Sequence, residues 1–351
     1  MINMKDGHRS IAGVIGGGSF GTTVAKLLAY NSDVLLFTRS RETAHQINDE
    51  HFHLGYPLSK NIRATTHLEE IPDVCEVIFP VIPSANFRGM MQSLGKLLEP
   101  RHIVIHATKG FDLTGVKEKD TSNAPISRKE VRTMSEVIIE ESPVLRVGCL
   151  SGPNLAKEIL QGQPTATVLA SEFMEVIQIG QKMLSSNAFF VFGSHDLIGA
   201  ELAGALKNVI ALGSGFLNGR GLGKNIQAML ITRGLHEIVY FGESLGARKE
   251  AFLGTAGIGD LIATATSEDS RNFTFGKMLG RGKTMKEAQE NMIEVAEGVR
   301  TLRIAYRLSK YYQIKVPITE MLFKVIYEGF PFEKALEYLM RYPYTTDVDF
   351  L

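Results

Sequence analysis

The sequence predicts an α/β doubly wound domain followed by a domain built of helices, and three observations carry that expectation. Short apolar runs recur through the first half, at Ile11–Ile15, Asp33–Phe37, Val74–Ile82, His102–Ala107 and Leu145–Leu150. Continuous apolar strands of this kind suit a parallel sheet covered by helices on both faces. A glycine-rich turn joins the first run to a helical pattern, so strand, turn, helix and strand form a βαβ unit. From Asp196 onward the pattern changes to helices separated by glycine-rich turns.

Composition bounds the answer further. At roughly 100–200 residues per domain, a chain of 351 residues holds two, and the change of pattern divides it into residues 1–194 and 195–351. Hydrophobic residues make up 44% and charged residues 22%, which excludes extended disorder. Lys plus Arg and Asp plus Glu are equal at 38, so the basic surplus of a nucleic-acid binder is missing. The only cysteines, Cys75 and Cys149, lie far apart in apolar runs, which leaves no disulfide framework and no cysteine zinc site. Met1–Ser10 is short and polar and has no secretory h-region. No run approaches the ~18 apolar residues of a spanning helix, so a soluble cytoplasmic protein is expected.

The elements follow in order. Thr22–Tyr30 has helical apolar spacing at Val24, Leu27 and Leu28. Thr165–Ala170 and Phe189–Gly193 read as two further strands. Helices are expected at Leu197–Leu217, Asn225–Leu245, Thr284–Gln289, Glu297–Tyr311, Ile318–Tyr327 and Pro331–Arg341. Asp112–Glu130 is polar and mixed in charge, and reads as a mobile insertion or loop.

The first turn reads Gly16-Gly17-Gly18-Ser19-Phe20-Gly21. In a dinucleotide site Gly16 would permit the tight turn and Gly18 the approach of a pyrophosphate. Gly21 would then let the helix pack on the strand, with its N-terminus facing the anion. At the end of the second strand, where an NAD site usually has an acidic residue, the chain has Thr38-Arg39-Ser40-Arg41. Arg39 could hold a 2′-phosphate, which leans toward NADPH over NADH, or could belong to a solvated turn.

Later segments each allow a plain reading and a chemical one. His106-Ala107-Thr108-Lys109-Gly110 ends a strand, where ligands bind in open α/β sheets, although Lys109 alone reads as a surface residue. Ser151-Gly152-Pro153-Asn154 is a close-approach turn, or a strand-to-helix turn with Asn154 near the cap. Around Lys207 the glycines at 199, 204, 213 and 215 cost helix propensity. Something must therefore approach that helix closely: a second helix, leaving Lys207 a bystander, or a substrate, making it a proton donor or acceptor. Gly257-Ile258-Gly259-Asp260-Leu261 is a glycine turn in which Asp260 could cap a helix. Ser270, Arg271 and Asn272 suit a phosphate, or start a helix. Glu294–Gly298 reads as the acidic first turn of a helix. His51, His53, His67 and His106 complete no metal pattern and read as surface or loop residues.

Taken in order, these motifs resemble the bacterial-type NAD(P)-dependent glycerol-3-phosphate dehydrogenases from Ile11 to about Glu333. The marks are the glycine turn, Ala107–Gly110, Ser151–Pro153, Glu201–Val209, Gly257–Leu261, Ser270–Asn272, Ala296–Gly298 and Val316–Glu320. The resemblance implies a Rossmann-like domain, a helical substrate domain, and reduction of dihydroxyacetone phosphate to sn-glycerol 3-phosphate for phospholipid synthesis. It implies Lys207 as acid/base, with Lys109 and Asp260 organising the reacting centre. Ser270, Arg271 and Asn272 would take the phosphate, and Gly152 and Asn154 would line the substrate. Gly16, Gly18, Ser19, Phe20, Gly21, Arg39, Lys109, Ala156, Arg271, Val295 and Glu297 would hold the cofactor. A homodimer is also implied.

This chain departs from the family at several places. Asn154 replaces Ser or Thr, Thr264-Ala265-Thr266 lacks a common cysteine with packing alone expected to change, and Asp112–Glu130 is long. Arg39 stands at a variable position, which leaves the choice between NADH and NADPH open. Two other readings compete: a hydroxyacid dehydrogenase of the 6-phosphogluconate type, which needs a second anion site, and a silent dinucleotide sensor, which needs none of Lys109, Lys207 and Asp260.

Overall fold

The computed structural model describes residues 9–115, 123–292, 294 and 296–343. The chain divides into two compact units, residues 1–108 with 134–197 and residues 109–133 with 198–351. Residues 109–133, which the sequence reading put in the first domain, belong with the helical unit. Phe111, Ile126 and Val131 explain this, since all three are buried in that unit's core.

The first unit is built on an eight-stranded sheet. Its strands are β1 (Ile11–Ile15), β2 (Asp33–Phe37), β3 (Ile62–Thr65), β4 (Val77–Pro80), β5 (Ile103–His106), β6 (Arg146–Ser151), β7 (Thr165–Ala170) and β8 (Phe189–Ser194). The spatial order is β8-β7-β6-β5-β4-β1-β2-β3. Neighbours pair parallel except β6 and β7, which are antiparallel. The link between those two is a tight turn and one short helix, Ala156–Leu160, with no long crossover to bring the chain back in the same sense. Both sheet faces are covered, as the apolar runs require. Val34, Leu36, Ile103 and Ile105 pack with α1 (Ser19–Leu28). Leu35 and Val104 point the other way, against α2 (Ser84–Leu94) and α3 (Met134–Glu141). Helix α1 starts at Ser19, three residues before the expected Thr22, with Gly18 as its N-cap. Cys75 and Cys149 are both buried, and burial pushes the Cys75 thiol up to about 12.

The second unit is helical. Its main members are α4 (Leu197–Gly219), α5 (Lys224–Ser244), α6 (Asp260–Thr266), α7 (Arg271–Gly280), α8 (Glu297–Tyr312), α9 (Pro317–Tyr327) and α10 (Phe332–Met340). Helix α4 is buried all round: Leu202, Leu206 and Ile210 enter one core, Val209, Leu212 and Phe216 another. A helix apolar on every side belongs in the middle of such a unit. By length and composition α4 could cross a membrane, yet 89% of its apolar window is buried in protein. Thr284 is a cap and not a helical residue, forming a capping box with Glu287 ahead of Met285–Glu290. The described residues of the segment read as a mobile insertion or loop carry regular structure: Asp112–Leu113 pairs antiparallel with Val131–Arg132, and Arg128–Glu130 is a 3₁₀ turn boxed by Ser127. Residues 116–122 of that segment lie outside the described ones.

A carboxylate from a neighbouring helix starts α9. Its N-cap position is Val316, which offers no side-chain acceptor, and Pro317 follows. Glu237 on α5 supplies what is missing, accepting from the amides of Ile318 and Thr319 and from the Thr319 hydroxyl at 2.9 Å. Burial nonetheless pushes Glu237 up to about 7, against the pull of those bonds. The folded state therefore holds this proton more tightly than the unfolded chain, and stability contributed by the group is lost as pH rises toward that value. Replacing Glu237 by Ala strands two buried helix-start amides and should lower unfolding stability by ~1–3 kcal/mol. Denaturant titration near neutral pH reads the loss, and an unchanged midpoint would remove Glu237 as the cap.

Candidate active site

In the first unit the glycine turn lies at the carboxyl end of β1. Gly16 has φ +124°, a conformation L side chains rarely adopt, and a Cβ there would lie 2.4 Å from the Val81 carbonyl oxygen. A Cβ on Gly21 would sit 1.9 Å from the Gly16 carbonyl oxygen, so the helix can seat on the turn only with glycine there. Gly18 is extended and leaves no side chain in the cap position of α1. Backbone donors at a bare helix N-terminus fit the pyrophosphate of a dinucleotide. Ser19 and Phe20 form the first turn of α1, Ala156 opens its own short helix, and Arg39 is exposed just past β2.

A contact that sequence reasoning missed supports the turn. His53 is buried, and its Nε2 lies 3.0 Å from the Gly17 carbonyl oxygen. His106 is buried as well, 3.2 Å from the Ser135 hydroxyl, so neither is the surface histidine expected. Their places depend on chain reversals far away in sequence, which no local pattern reports.

The second unit gathers three of the expected residues. Lys207 projects from α4 and is buried; its Nζ donates to Asp260 Oδ1 at 2.6 Å and also to the Thr264 hydroxyl. Lys109 Nζ donates to the other oxygen, Asp260 Oδ2, at 2.6 Å. Asp260 is the first residue of α6, where its charge suits the helix N-terminus. Thr264 stands one turn later and donates to Asp260 Oδ1 at 3.2 Å. Burial pulls the Lys207 ammonium down to about 7; Lys109 and Arg271 push the same way, and Asp260 opposes them. The expectation that the missing cysteine in Thr264-Ala265-Thr266 changes packing alone does not include the hydroxyl of Thr264. Its i, i+4 spacing from Asp260 was the available signal.

The close approach read from the glycines of α4 has two answers along one helix. Near its end the approaching body is α7, with a Cβ on Gly215 only 1.9 Å from the Phe273 carbonyl oxygen. At Lys207 it is the Asp260–Thr264 turn. The residues expected at a phosphate behave differently from one another. Arg271 opens α7 and pairs with Glu294 at 3.0 Å while staying half exposed. Ser270 is its N-cap, accepting from the Phe273 amide. The Asn272 side chain is engaged elsewhere, donating to Asn208 Oδ1 at 2.8 Å and accepting from the Gly298 amide at 2.7 Å. Glu297 opens α8, and Val295 lies outside the described residues.

Gly152 has φ +158°, and a Cβ there would lie 2.9 Å from Thr167 Cα. Asn154 is not a helix cap, because Leu155 holds that position. Its Nδ2 donates instead to Thr167 Oγ1 at 3.0 Å, tying the turn to β7.

Comparison with known proteins agrees with both halves of the chain. Residues 11–177 match the family described as NAD-dependent glycerol-3-phosphate dehydrogenase N-terminus, and residues 196–337 match its C-terminus. A relative from Exiguobacterium sp., glycerol-3-phosphate dehydrogenase [NAD(P)+], is 40% identical over 94% of this chain and 95% of its own length. One of the same name from Leuconostoc mesenteroides is 37% identical over 94% and 97%. The crystal structure of glycerol-3-phosphate dehydrogenase from Coxiella burnetii superimposes with a TM-score of 0.83 at 29% identity, covering 95% of this chain and 99% of that one. With the glycine turn and the buried lysine–aspartate cluster, these matches make the chain an oxidoreductase of the NAD(P)-dependent glycerol-3-phosphate dehydrogenase family.

Proposed function

We propose that the chain catalyses reversible reduction of dihydroxyacetone phosphate to sn-glycerol 3-phosphate with NADPH or NADH, for glycerophospholipid synthesis in the cytoplasm. The observation that carries the reading is the buried Lys207 ammonium, held by Asp260 and Thr264 and lowered in proton affinity. When bound, the nicotinamide cofactor supplies the hydride. Lys207 stabilises the charge developing on the C2 oxygen and then protonates it. Asp260 fixes the lysine, and Lys109 neutralises the second carboxylate oxygen.

Arg271 takes the phosphate end, together with backbone amides at the start of α7 whose cap is Ser270. Asn272 contributes through its backbone, its side chain being engaged by Asn208 and Gly298. Gly152 and Asn154 belong to the substrate side in the same reading. The cofactor is assigned to Gly16, Gly18, Ser19, Phe20, Gly21, Arg39, Lys109, Ala156, Arg271, Val295 and Glu297. Exposed Arg39, standing where NAD sites usually carry an acid, supports NADPH. A homodimer is part of the proposal and rests on the family alone.

Steady-state oxidation of NADPH and NADH with dihydroxyacetone phosphate, beside unphosphorylated dihydroxyacetone, tests the reading. Turnover of the phosphate ester alone is expected; none from folded protein would overturn it.

Two further outcomes follow from the site. Reduction requires protonated Lys207, so kcat should fall as pH rises through its lowered value of about 7, while glycerol 3-phosphate oxidation rises there. Lys207→Ala should cost roughly 10³-fold in kcat with NADPH binding retained; near-normal turnover, or wild-type kcat flat between about pH 6 and 9, would take Lys207 out of proton transfer. Arg271→Ala should raise KM for dihydroxyacetone phosphate by ~10–100-fold, the worth of one charge-assisted contact. An unchanged KM would place the phosphate elsewhere.

A further inference from the structure

Lys109 is held in an electrostatically awkward place. Its ammonium lies 2.6 Å from Asp260 Oδ2, while the same carboxylate already binds Lys207. Two like charges about one carboxylate repel, and a lysine on its flexible four-carbon stem can relieve that by swinging into water. The Lys109 side chain keeps 18% exposure, so the route is open. The position of its backbone sets where that stem starts, and so how readily the ammonium reaches the carboxylate.

The chain on either side of residues 116–122 is clasped onto α8. Two residues after Lys109, the Phe111 carbonyl accepts from Arg300 Nη1, and the Phe111 ring is buried. On the return, the Ala124 carbonyl accepts from Arg307 Nε at 2.7 Å, and the Ile126 amide donates to the Arg307 carbonyl at 3.3 Å. The Arg128 amide then donates to the Tyr312 hydroxyl at 3.0 Å. Arg300 and Arg307 stand two turns apart on one side of α8. The two limbs are also joined to each other by the pairing of Leu113 with Val131 and by the Thr114 amide donating to the Glu130 carbonyl at 2.8 Å. Arg307 is buried.

We propose that the two described limbs, residues 109–115 and 123–133, form a strap, and that Arg300 and Arg307 are positioning residues that act through it to hold Lys109 against Asp260. The proposal rests on the role given to Lys109 above. A guanidinium suits the task because its planar fork fixes a carbonyl in direction as well as distance. Neither arginine needs to meet substrate or cofactor.

A double-mutant cycle on the full chain tests this. Arg300→Ala should lower kcat by ~10-fold with KM for NADPH changed less than ~2-fold, and Arg300→Lys, which keeps a donor, should recover most of the loss. In the Lys109→Met background, Arg300→Ala should cost less than a further ~2-fold, because the group it positions is already gone. Losses that multiply, or an unchanged kcat in Arg300→Ala, would overturn the strap. Labelling with an amine-reactive reagent reads Lys109 directly: its modification should rise several-fold in Arg300→Ala, and equal labelling also overturns the proposal. Should Arg300→Ala fail to fold, Arg300→Met, which keeps the apolar stem and removes the donors, carries the same cycle. Lys109→Met by itself separates the two levels. Normal turnover there defeats the role of Lys109 and the strap together, whereas an impaired Lys109→Met with multiplying losses defeats the strap alone.

Discussion

The carboxylate of Asp260, shared between the ammonium groups of Lys109 and Lys207, is the constraint on which the second unit's chemistry depends. Taking such charges out of water costs several kcal/mol per ion, and only close pairing with further hydrogen bonds repays it. Removing one partner of a buried pair costs about 3–5 kcal/mol for the same reason. The arrangement answers this at each atom. Each Asp260 oxygen receives one ammonium, the Thr264 hydroxyl joins on one side, and the start of α6 adds its dipole. Burial that makes the cluster costly also weakens the hold of Lys207 on its proton. Structural expense and chemical readiness thus have one origin.

Holding that cluster requires helices that meet backbone to backbone. A Cβ on Gly276 would lie 2.0 Å from the Leu212 carbonyl oxygen, the reciprocal of the contact at Gly215. This brings α7 against α4, and the amide chain from Gly298 through Asn272 to Asn208 ties in the start of α8. Its direction is determined throughout: Asn272 accepts from the Gly298 amide, so its own amide must donate to Asn208, which in turn donates to the Gly204 carbonyl. Asn208 follows Lys207, Asn272 follows Arg271 and Gly298 follows Glu297. Three neighbours of the proposed chemistry are thereby fixed by residues that need not touch a ligand.

Much of this was legible in the chain and some was not. The strands of the parallel sheet could be read because burial on both faces demands unbroken apolar runs, whereas the edge strand Ile62–Thr65 is interrupted by exposed Arg63 and ends in a threonine, and offers no such run. Helices α6 and α7 were visible only as possible helix starts at Asp260 and Ser270, because the polar residues of both and the glycines of α7 interrupt the helical periodicity. The Thr264 hydroxyl was not singled out, and Asn272 was expected at the phosphate through a side chain that is engaged by Asn208 and Gly298.

Local order and composition by themselves determined the class of fold and the glycine turn, since these follow from periodicity and residue chemistry along the chain; Lys109, Lys207 and Asp260 were singled out only through the family resemblance of the ordered motifs. Only the tertiary structure decided that residues 109–133 join the helical unit, that His53 braces the glycine turn, and that Thr264 completes the cluster. Each of these is a contact between residues distant along the chain or dependent on a helix not yet recognised. Burial and hydrogen-bond partnership are properties of the assembled core, and no window of neighbouring residues contains them.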